Sequence, residues 1–535
     1  MEILKQVHRM VWGPWLMLLF LAAGIFWTLR SGAFQLRGFG VWWRATAGSL
    51  LLRQSGGADK KTQIKTACTA LAATVGTGNI VGVAAAITAG GPGALFWMWV
   101  SAGLGMMTAY AEVYLGILSR YRKDGSGEFV CGPYVYLDRL AGNPGLAGVY
   151  ALLCLLASLS MGSMVQANSL TETVNYSFSF PKAGTAAALG ILTALVIRGG
   201  RKRIGETAAK LVPLSAGMYV LFSVLVLLRC RESFLPVLRE IFQDAFSFRS
   251  AAGGAAGWGV SHAVRYGLAR GVFSNEAGLG SMAVLHGDAP ETAGQEWSAG
   301  QEPGAGRELG AGQELGTVRE LGAGQKTDAG RERDAALQGM WAMFEVFFDT
   351  ILVCSLTGFS ILCGIRTAGG SPGLSGAGLT SWCFSRYLGR AGGIVIPASL
   401  MLFAFATIIA WYHLGNQAFD FVRSRFRMRS GRRLYGLLYL SAVAAGCLIP
   451  MDAVWLLSDI INGLMALPNL TALFWLAGCV KFPLKINKMQ GNQGKSLTSG
   501  GFSTYTEKRC LRWEKNTETA GPDSRNGQEK EGTPE

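Results

Sequence analysis

The chain has 535 residues, 50% of them hydrophobic and only 16% charged, with a mean hydropathy of +0.29 and a formal net charge of +15. Soluble globular chains carry about 25% charged residues, so the deficit excludes an ordinary water-soluble enzyme, and the long apolar runs exclude disorder over most of the length. The basic excess lies in short loops between apolar runs, without aromatic interleaving, which speaks for membrane topology rather than for DNA or RNA binding. The ten cysteines are scattered and form no CxxC pair, leaving a disulfide or zinc framework without support.

A bilayer is crossed by roughly 20 apolar residues in helical form. On that measure the sequence predicts spans at 10–29, 66–89, 93–118, 146–175, 184–198, 207–228, 252–286, 336–364, 392–421, 434–450 and 453–480. Lys5 and Arg9 precede the first run, but no small-residue cleavage site follows it, so 10–29 reads as a retained helix and not a removed signal peptide. The loops at 30–65, 119–145, 199–206 with its flanks, 287–335 and 422–433 are each richer in Lys and Arg than their neighbours. Positive charge marks the cytoplasmic side, which places the N-terminus outside and the C-terminus in the cytoplasm of a multi-pass cell-membrane protein. The stretch 293–322 repeats six-residue units such as AGQEWS and AGRELG. That period suits neither helix nor strand, so 288–335 is expected to be a low-complexity cytoplasmic insertion. The polar stretch 481–535 is expected to be a disordered cytoplasmic tail.

Setting the first span aside leaves ten, or two fives. Because five is odd, the second half enters the membrane from the opposite face, and an inverted repeat follows by counting. The division expected is 1–65 for the N-terminal helix and basic loop, 66–228 for the first repeat and 229–480 for the second. In transporters of this kind, Gly-interrupted spans at corresponding positions mark the binding site. The first core span carries Thr74-Val75-Gly76-Thr77-Gly78-Asn79-Ile80-Val81-Gly82, and the sixth carries Ser274-Asn275-Glu276-Ala277-Gly278-Leu279-Gly280-Ser281. Each mid-helix glycine costs about 1 kcal/mol relative to Ala, so both segments are expected to unwind, freeing carbonyls for a cation and amides for an anion. Gln166 and Asn168 in the third core span, and Phe403 to Tyr412 in the eighth, add polar and aromatic groups. Buried ionisable residues must pair or line water. Arg265 or Arg270 with Glu276 or Glu345 is the expected ion pair. No HExxH, GxSxG or phosphate-loop pattern occurs, so no enzyme is expected.

The runs GTGNIVGVAAAITAGGPGALFWMWVSAGLGMMTAYAEV (76–113), MVQAN (164–168), RKRIGETAAKLVP (201–213), VRYGLARGVFSNEAGLGS (264–281), LFAFATIIAWY (402–412) and NGLMALPN (462–469) resemble the alanine/glycine:cation symporters. The resemblance spans most of residues 10–480 in the expected order. It implies an all-α, LeuT-like five-plus-five inverted repeat with one extra N-terminal helix, and symport of Na+ with a small neutral amino acid. Val75-Gly76-Thr77-Gly78-Asn79 is also similar to the unwound first helix of the neurotransmitter:sodium symporters. By that resemblance Thr77, Gly78 and Asn79 bind substrate, with Gln166 and Trp411 lining the pocket and Ser274 and Asn275 closing it. Ala72, Val75, Phe403 and Thr407 hold one sodium ion, and Thr74 and Asn79 suit a second site.

Four features depart from the family pattern. Ala406 stands where the family usually has Ser, which removes one hydroxyl ligand, and Asn416 stands where it commonly has Glu. The hexapeptide insertion and the basic tail also lie outside the pattern. The rivals are coupling to protons through Glu276 or Asp349 and, from another class, an amino-acid sensor or channel. Membrane lipid is the other partner expected, nucleic acid is not, and the oligomeric state is open, with a monomer plausible.

Overall fold

The computed structural model describes residues 1–51, 58–123, 128–246, 262–291, 328–428 and 431–483. Both the repeat at 293–322 and nearly all of the expected tail lie outside the described residues.

Before the core come α1 (Glu2–Val11), α2 (Pro14–Ser31) and three short helices, α3 (Phe34–Arg37), α4 (Phe39–Ala45) and α5 (Ala47–Leu51). Pro14 opens α2 at its first helical position, where a missing N–H costs nothing, and Gly32 ends it at φ +69. The first core span is α6 (Ala58–Thr74) and α7 (Val81–Gly90), joined by a single 3-10 turn, Thr77–Asn79, with a bend of 55°. Next stand α8 (Gly93–Ser119), a two-stranded ribbon of β1 (Tyr121–Arg122) and β2 (Phe129–Val130), and α9 (Pro133–Arg139). The third core span runs through α10 (Pro144–Leu159), a π-helical stretch Ser160–Val165, and α11 (Gln166–Phe178). Asn143 caps its start, accepting from the Leu146 amide at 3.0 Å. Then come α12 (Lys182–Ile197), α13 (Gly200–Arg229) and α14 (Arg231–Ala245).

The second half begins with α15 (His262–Asn275) and α16 (Ser281–Leu285), the two pieces of the sixth core span. It continues with α17 (Asp328–Val346), a π-helical stretch Phe347–Cys354 and α18 (Ser355–Ala368) as the seventh, then α19 (Gly376–Leu388). The last spans are α20 (Arg390–Arg425), α21 (Arg432–Leu448) and α22 (Met451–Trp475).

Seven helices among the described residues are long and apolar enough to cross a membrane, and the bent pair α6–α7 makes eight. Adding the shorter apolar helices α12 and α21 and the broken α15–α16 gives the eleven spans expected. The fold class is thus all-α and polytopic, with five-plus-five core spans behind one extra N-terminal helix. The expected loops at 229–251 and 365–391 instead contain the helices α14 and α19, and the 30–65 loop contains α3 to α5 and the start of α6. Within the expected span 252–286, residues 252–261 lie outside the described residues, and the remainder is two helices separated by the expected break.

Three layers of contact place the site. α8 packs against α15 and α17, α20 packs against α10, α11 and α13, and α6 touches both α13 and α20. The two broken spans therefore sit between a scaffold led by α8 and one led by α20.

Candidate substrate and ion site

Around Gly76 the first core span stops hydrogen bonding to itself in helical fashion. The Gly76 amide donates to the Thr74 carbonyl at 2.9 Å and to Asn79 Oδ1 at 3.1 Å. The Thr77 amide and hydroxyl both donate to Gln166 Oε1, at 3.2 and 3.0 Å. Gln166 Nε2 reaches back to the Met161 carbonyl at 3.3 Å, inside the π-helical turn that precedes it. Such single wide turns are common at functional sites because they re-aim side chains. Gly76 must lack a side chain, because a Cβ there would lie 2.9 Å from Thr407 Oγ1 and 3.2 Å from Gln166 Oε1.

One turn earlier, Thr407 Oγ1 in α20 donates to the Ala72 carbonyl at 2.8 Å and to the Phe403 carbonyl at 3.0 Å. Three oxygens thus converge from two spans with no apolar group interposed, the hard-oxygen chemistry that an alkali cation needs. Val75 is fully buried in the same turn, and Ala406 is buried without an oxygen to add. Trp411, one turn beyond Thr407, is also fully buried. It lies on Gly162 of the π-helical stretch, where an added Cβ would stand 2.3 Å from the Trp411 Cβ.

Asp349, in the π-helical stretch of the seventh span, joins the two breaks. Its carboxylate accepts from Asn79 Nδ2 at 2.6 Å, Ser274 Oγ at 2.7 Å and Thr350 Oγ1 at 2.9 Å. Its carbonyl also accepts from Asn79 Nδ2, at 3.1 Å. The whole group is buried. The sequence offered Asp349 as an acid within an apolar run and as a candidate for proton coupling; its three donors come from the first, sixth and seventh spans, a convergence that no local pattern encodes.

The sixth span breaks by a different device. Glu276, Gly278 and Gly280 lie at φ +55, +88 and +92, and three left-handed residues in five cannot continue a right-handed helix. Glu112 of α8 accepts from the freed Gly278 amide and from Asn469 Nδ2, both at 3.1 Å, while Asn469 Nδ2 also donates to the Gly278 carbonyl at 2.9 Å. Glu276 accepts from Ser281 Oγ at 2.5 Å. Asn275 Oδ1 accepts from the Ala277 amide at 3.1 Å, and its side chain lines a cleft with Trp12, Leu104 and Val272.

The residues expected at the site thus separate. Asn79 and Ser274 are joined through Asp349, and Thr77 is joined to Gln166, with Gly76 and Gly78 packed alongside; Gly78 would bring a Cβ 3.5 Å from the Phe273 ring. Ala72, Phe403 and Thr407 form a separate cluster. Asn275 serves the break itself, and Asn168 ties α11 to α21 by donating to the Gly446 and Ile449 carbonyls, both at 2.8 Å.

The expected ion pairs are corrected. Arg270 pairs with Asp459 of α22 at 2.8 Å, where His8 of α1 also approaches at 3.3 Å. Glu345 faces His286 at 3.1 Å, both fully buried.

The description "sodium:alanine symporter family" matches residues 1–296 and 320–499. The chain belongs to that family. It is 36% identical over 477 residues to an uncharacterized transporter of Haemophilus influenzae, covering 89% of this chain and 93% of that one. It is 34% identical over 507 residues to the sodium/alanine symporter AgcS of Methanococcus maripaludis, covering 92% and 99%. A probable sodium/glutamine symporter of Bacillus subtilis, GlnT, is 29% identical over 497 residues, covering 92% of each chain. Membership makes the protein a transporter and not an enzyme, and its multiple long apolar helices make it an integral, multi-pass membrane protein.

Proposed function

We propose that the protein takes up a small neutral amino acid together with sodium by alternating access, from a cell membrane in which its N-terminus is outside and its C-terminus cytoplasmic. The observation that carries the reading is the Thr407 hydroxyl between the Ala72 and Phe403 carbonyls. Sodium in that position replaces the hydroxyl's hydrogen bonds with coordination, ties the first core span to the eighth, and fixes the Gly76–Thr77 turn beside it. With Gln166 swung aside, the Thr77 and Gly78 amides receive the substrate carboxylate at the positive end of the half-helix. Trp411, seated on Gly162, limits side-chain size, and Ser274 closes the other wall. The repeats 66–228 and 229–480 then rock about the loaded site.

A second cation position lies at Asp349. A buried carboxylate with no basic partner costs several kcal/mol, and Asn79, Ser274 and Thr350 bring only neutral groups to it. A cotransported cation completes the charge. One inward positive charge gains about 2.3 kcal/mol per 100 mV, enough for a roughly fiftyfold concentration gradient.

Alanine is the substrate favoured, because the pocket floor at Gly162 is covered by an indole. A larger polar substrate is the second reading, and GlnT shows that related chains are named for one. Uptake of radiolabelled alanine and glutamine into proteoliposomes, with external sodium or choline at fixed pH, tests both. Alanine accumulation that needs sodium supports the proposal. Accumulation unchanged in choline but steeply dependent on a proton gradient replaces it with proton coupling through Asp349 or Glu276, and binding without accumulation replaces it with a sensor.

A further inference from the structure

The short helices that follow α2 have no part in the site, yet their exposed and buried faces are sharply sorted. Phe34, Gln35 and Trp42 are buried, whereas Leu36, Arg37, Phe39, Gly40 and Arg44 are exposed, Leu36 at 75%. Leu36 and Arg37 are exposed at the end of α3, and Phe39, Gly40 and Arg44 are exposed on α4. Exposed apolar side chains beside basic ones are the signature of a segment lying in a membrane–water interface. The position agrees, because α3 begins three residues after α2 leaves the bilayer. Charge agrees too: residues 30–65 hold seven Lys and Arg and a single acid, Asp59. Neither Arg37 nor Arg44 makes an ion pair among the described residues.

The buried face is anchored to the transport core. Trp42 Nε1 donates to the Gln35 carbonyl at 3.1 Å, and Gln35 Nε2 donates to Thr28 Oγ1 at 2.9 Å. The Trp42 ring meets Phe347 at 5.7 Å and the Trp43 ring meets Phe344 at 6.1 Å. Phe347 lies two residues before Asp349.

We propose that Arg37 and Arg44 of α3 and α4 bind the phosphate of an anionic phospholipid, with Leu36 and Phe39 inserted among its acyl chains, and so brace α4 against the seventh span. Each basic residue near an anionic surface adds enough to change affinity roughly fivefold, so losing both weakens binding about thirtyfold.

The test needs no transport, so its failure leaves the symport reading standing. Purified full-length protein is exchanged into detergent with phosphatidylglycerol or phosphatidylcholine. Bound lipid is then counted by native mass spectrometry, and thermal unfolding is followed by tryptophan fluorescence. Wild type is expected to retain phosphatidylglycerol over phosphatidylcholine and to unfold at higher temperature with it. R37Q/R44Q is expected to lose that retention about thirtyfold and the shift entirely, while matching wild type in phosphatidylcholine. R37K/R44K, which keeps the charge, is expected to recover most of it. Equal phosphatidylglycerol retention by wild type and R37Q/R44Q overturns the proposal. So does a stabilising shift that inorganic phosphate alone reproduces, since the ligand would then be a free anion and not a lipid.

Discussion

The two broken core spans look alike in sequence, each polar and glycine-bearing, but they are held open differently. The sixth break is stabilised from within the protein: its freed amides and carbonyls are taken by Glu112, Asn469 and Asn275, and its turn is set by three residues at positive φ. At the first break the backbone stays at negative φ, with Gly76 at −123°, and its freed groups are held by side chains of other spans. Gln166 holds the Thr77 amide, and the Thr407 hydroxyl holds the Ala72 carbonyl. The sixth break is a bend closed by its own polar partners, and the first is held by side chains from other spans, as the proposed site requires. Similar composition can therefore produce two breaks held by different means.

Substitutions can break or sharpen that contrast. The largest effect is expected at Gly280, where an added Cβ would lie 2.2 Å from the Tyr150 hydroxyl at a φ of +92. Gly280→Ala combines a left-handed penalty of about 1 kcal/mol with overpacking of about 1–3 kcal/mol. It is expected to lower the unfolding temperature markedly in detergent; an unchanged melting curve would show that the sixth break is not a rigid bend. Next comes Asp349→Ala, which removes the acceptor shared by Asn79, Ser274 and Thr350. A loss of about a hundredfold in sodium-driven uptake is expected, equivalent to about 2.7 kcal/mol, with near-normal folding measured by size-exclusion chromatography.

Thr407→Ala is expected to raise the half-saturating sodium concentration about tenfold, or about 1.4 kcal/mol, while leaving the maximal uptake rate close to wild type at saturating sodium. Ala406→Ser is expected to act in the opposite direction by a few fold, since it restores a hydroxyl beside the same cluster. The smallest effect expected is that of Gln166→Ala. It removes a contact to the substrate but also frees the Thr77 amide from a competing acceptor, so alanine affinity should fall only about threefold, within the range of one neutral hydrogen bond. A larger loss at Gln166 than at Thr407 would invert the contrast between ion site and substrate site.

Span count, the N-terminal extra helix and both breaks were legible in the sequence, because run length and glycine spacing are local signals. The breaks stood out because Thr77, Asn79, Ser274 and Asn275 interrupt otherwise apolar runs. Which of them reach the site was not legible, since that depends on side-chain direction after the helix ends: Ser274 turns to Asp349 while its neighbour Asn275 turns to cap Ala277. The ion pairs were misassigned for a related reason. Arg270 lies close in sequence to Glu276, but its partner Asp459 is 189 residues away, on a helix packed against it only in the folded protein. The helices α14 and α19 were hidden because both are too short and too polar to register as spans. The π-helical stretches left no mark in composition, although one holds Asp349 and the other precedes Gln166.

The claim on which the account depends is that sodium and amino acid bind together at the first break. Equilibrium binding of radiolabelled alanine to the detergent-solubilised protein, titrated with sodium chloride against choline chloride at constant ionic strength and pH, tests it most directly. The account predicts binding that rises saturably with sodium and shifts to higher sodium in Thr407→Ala. Alanine binding of equal strength in choline, unaltered by Thr407→Ala, would contradict it.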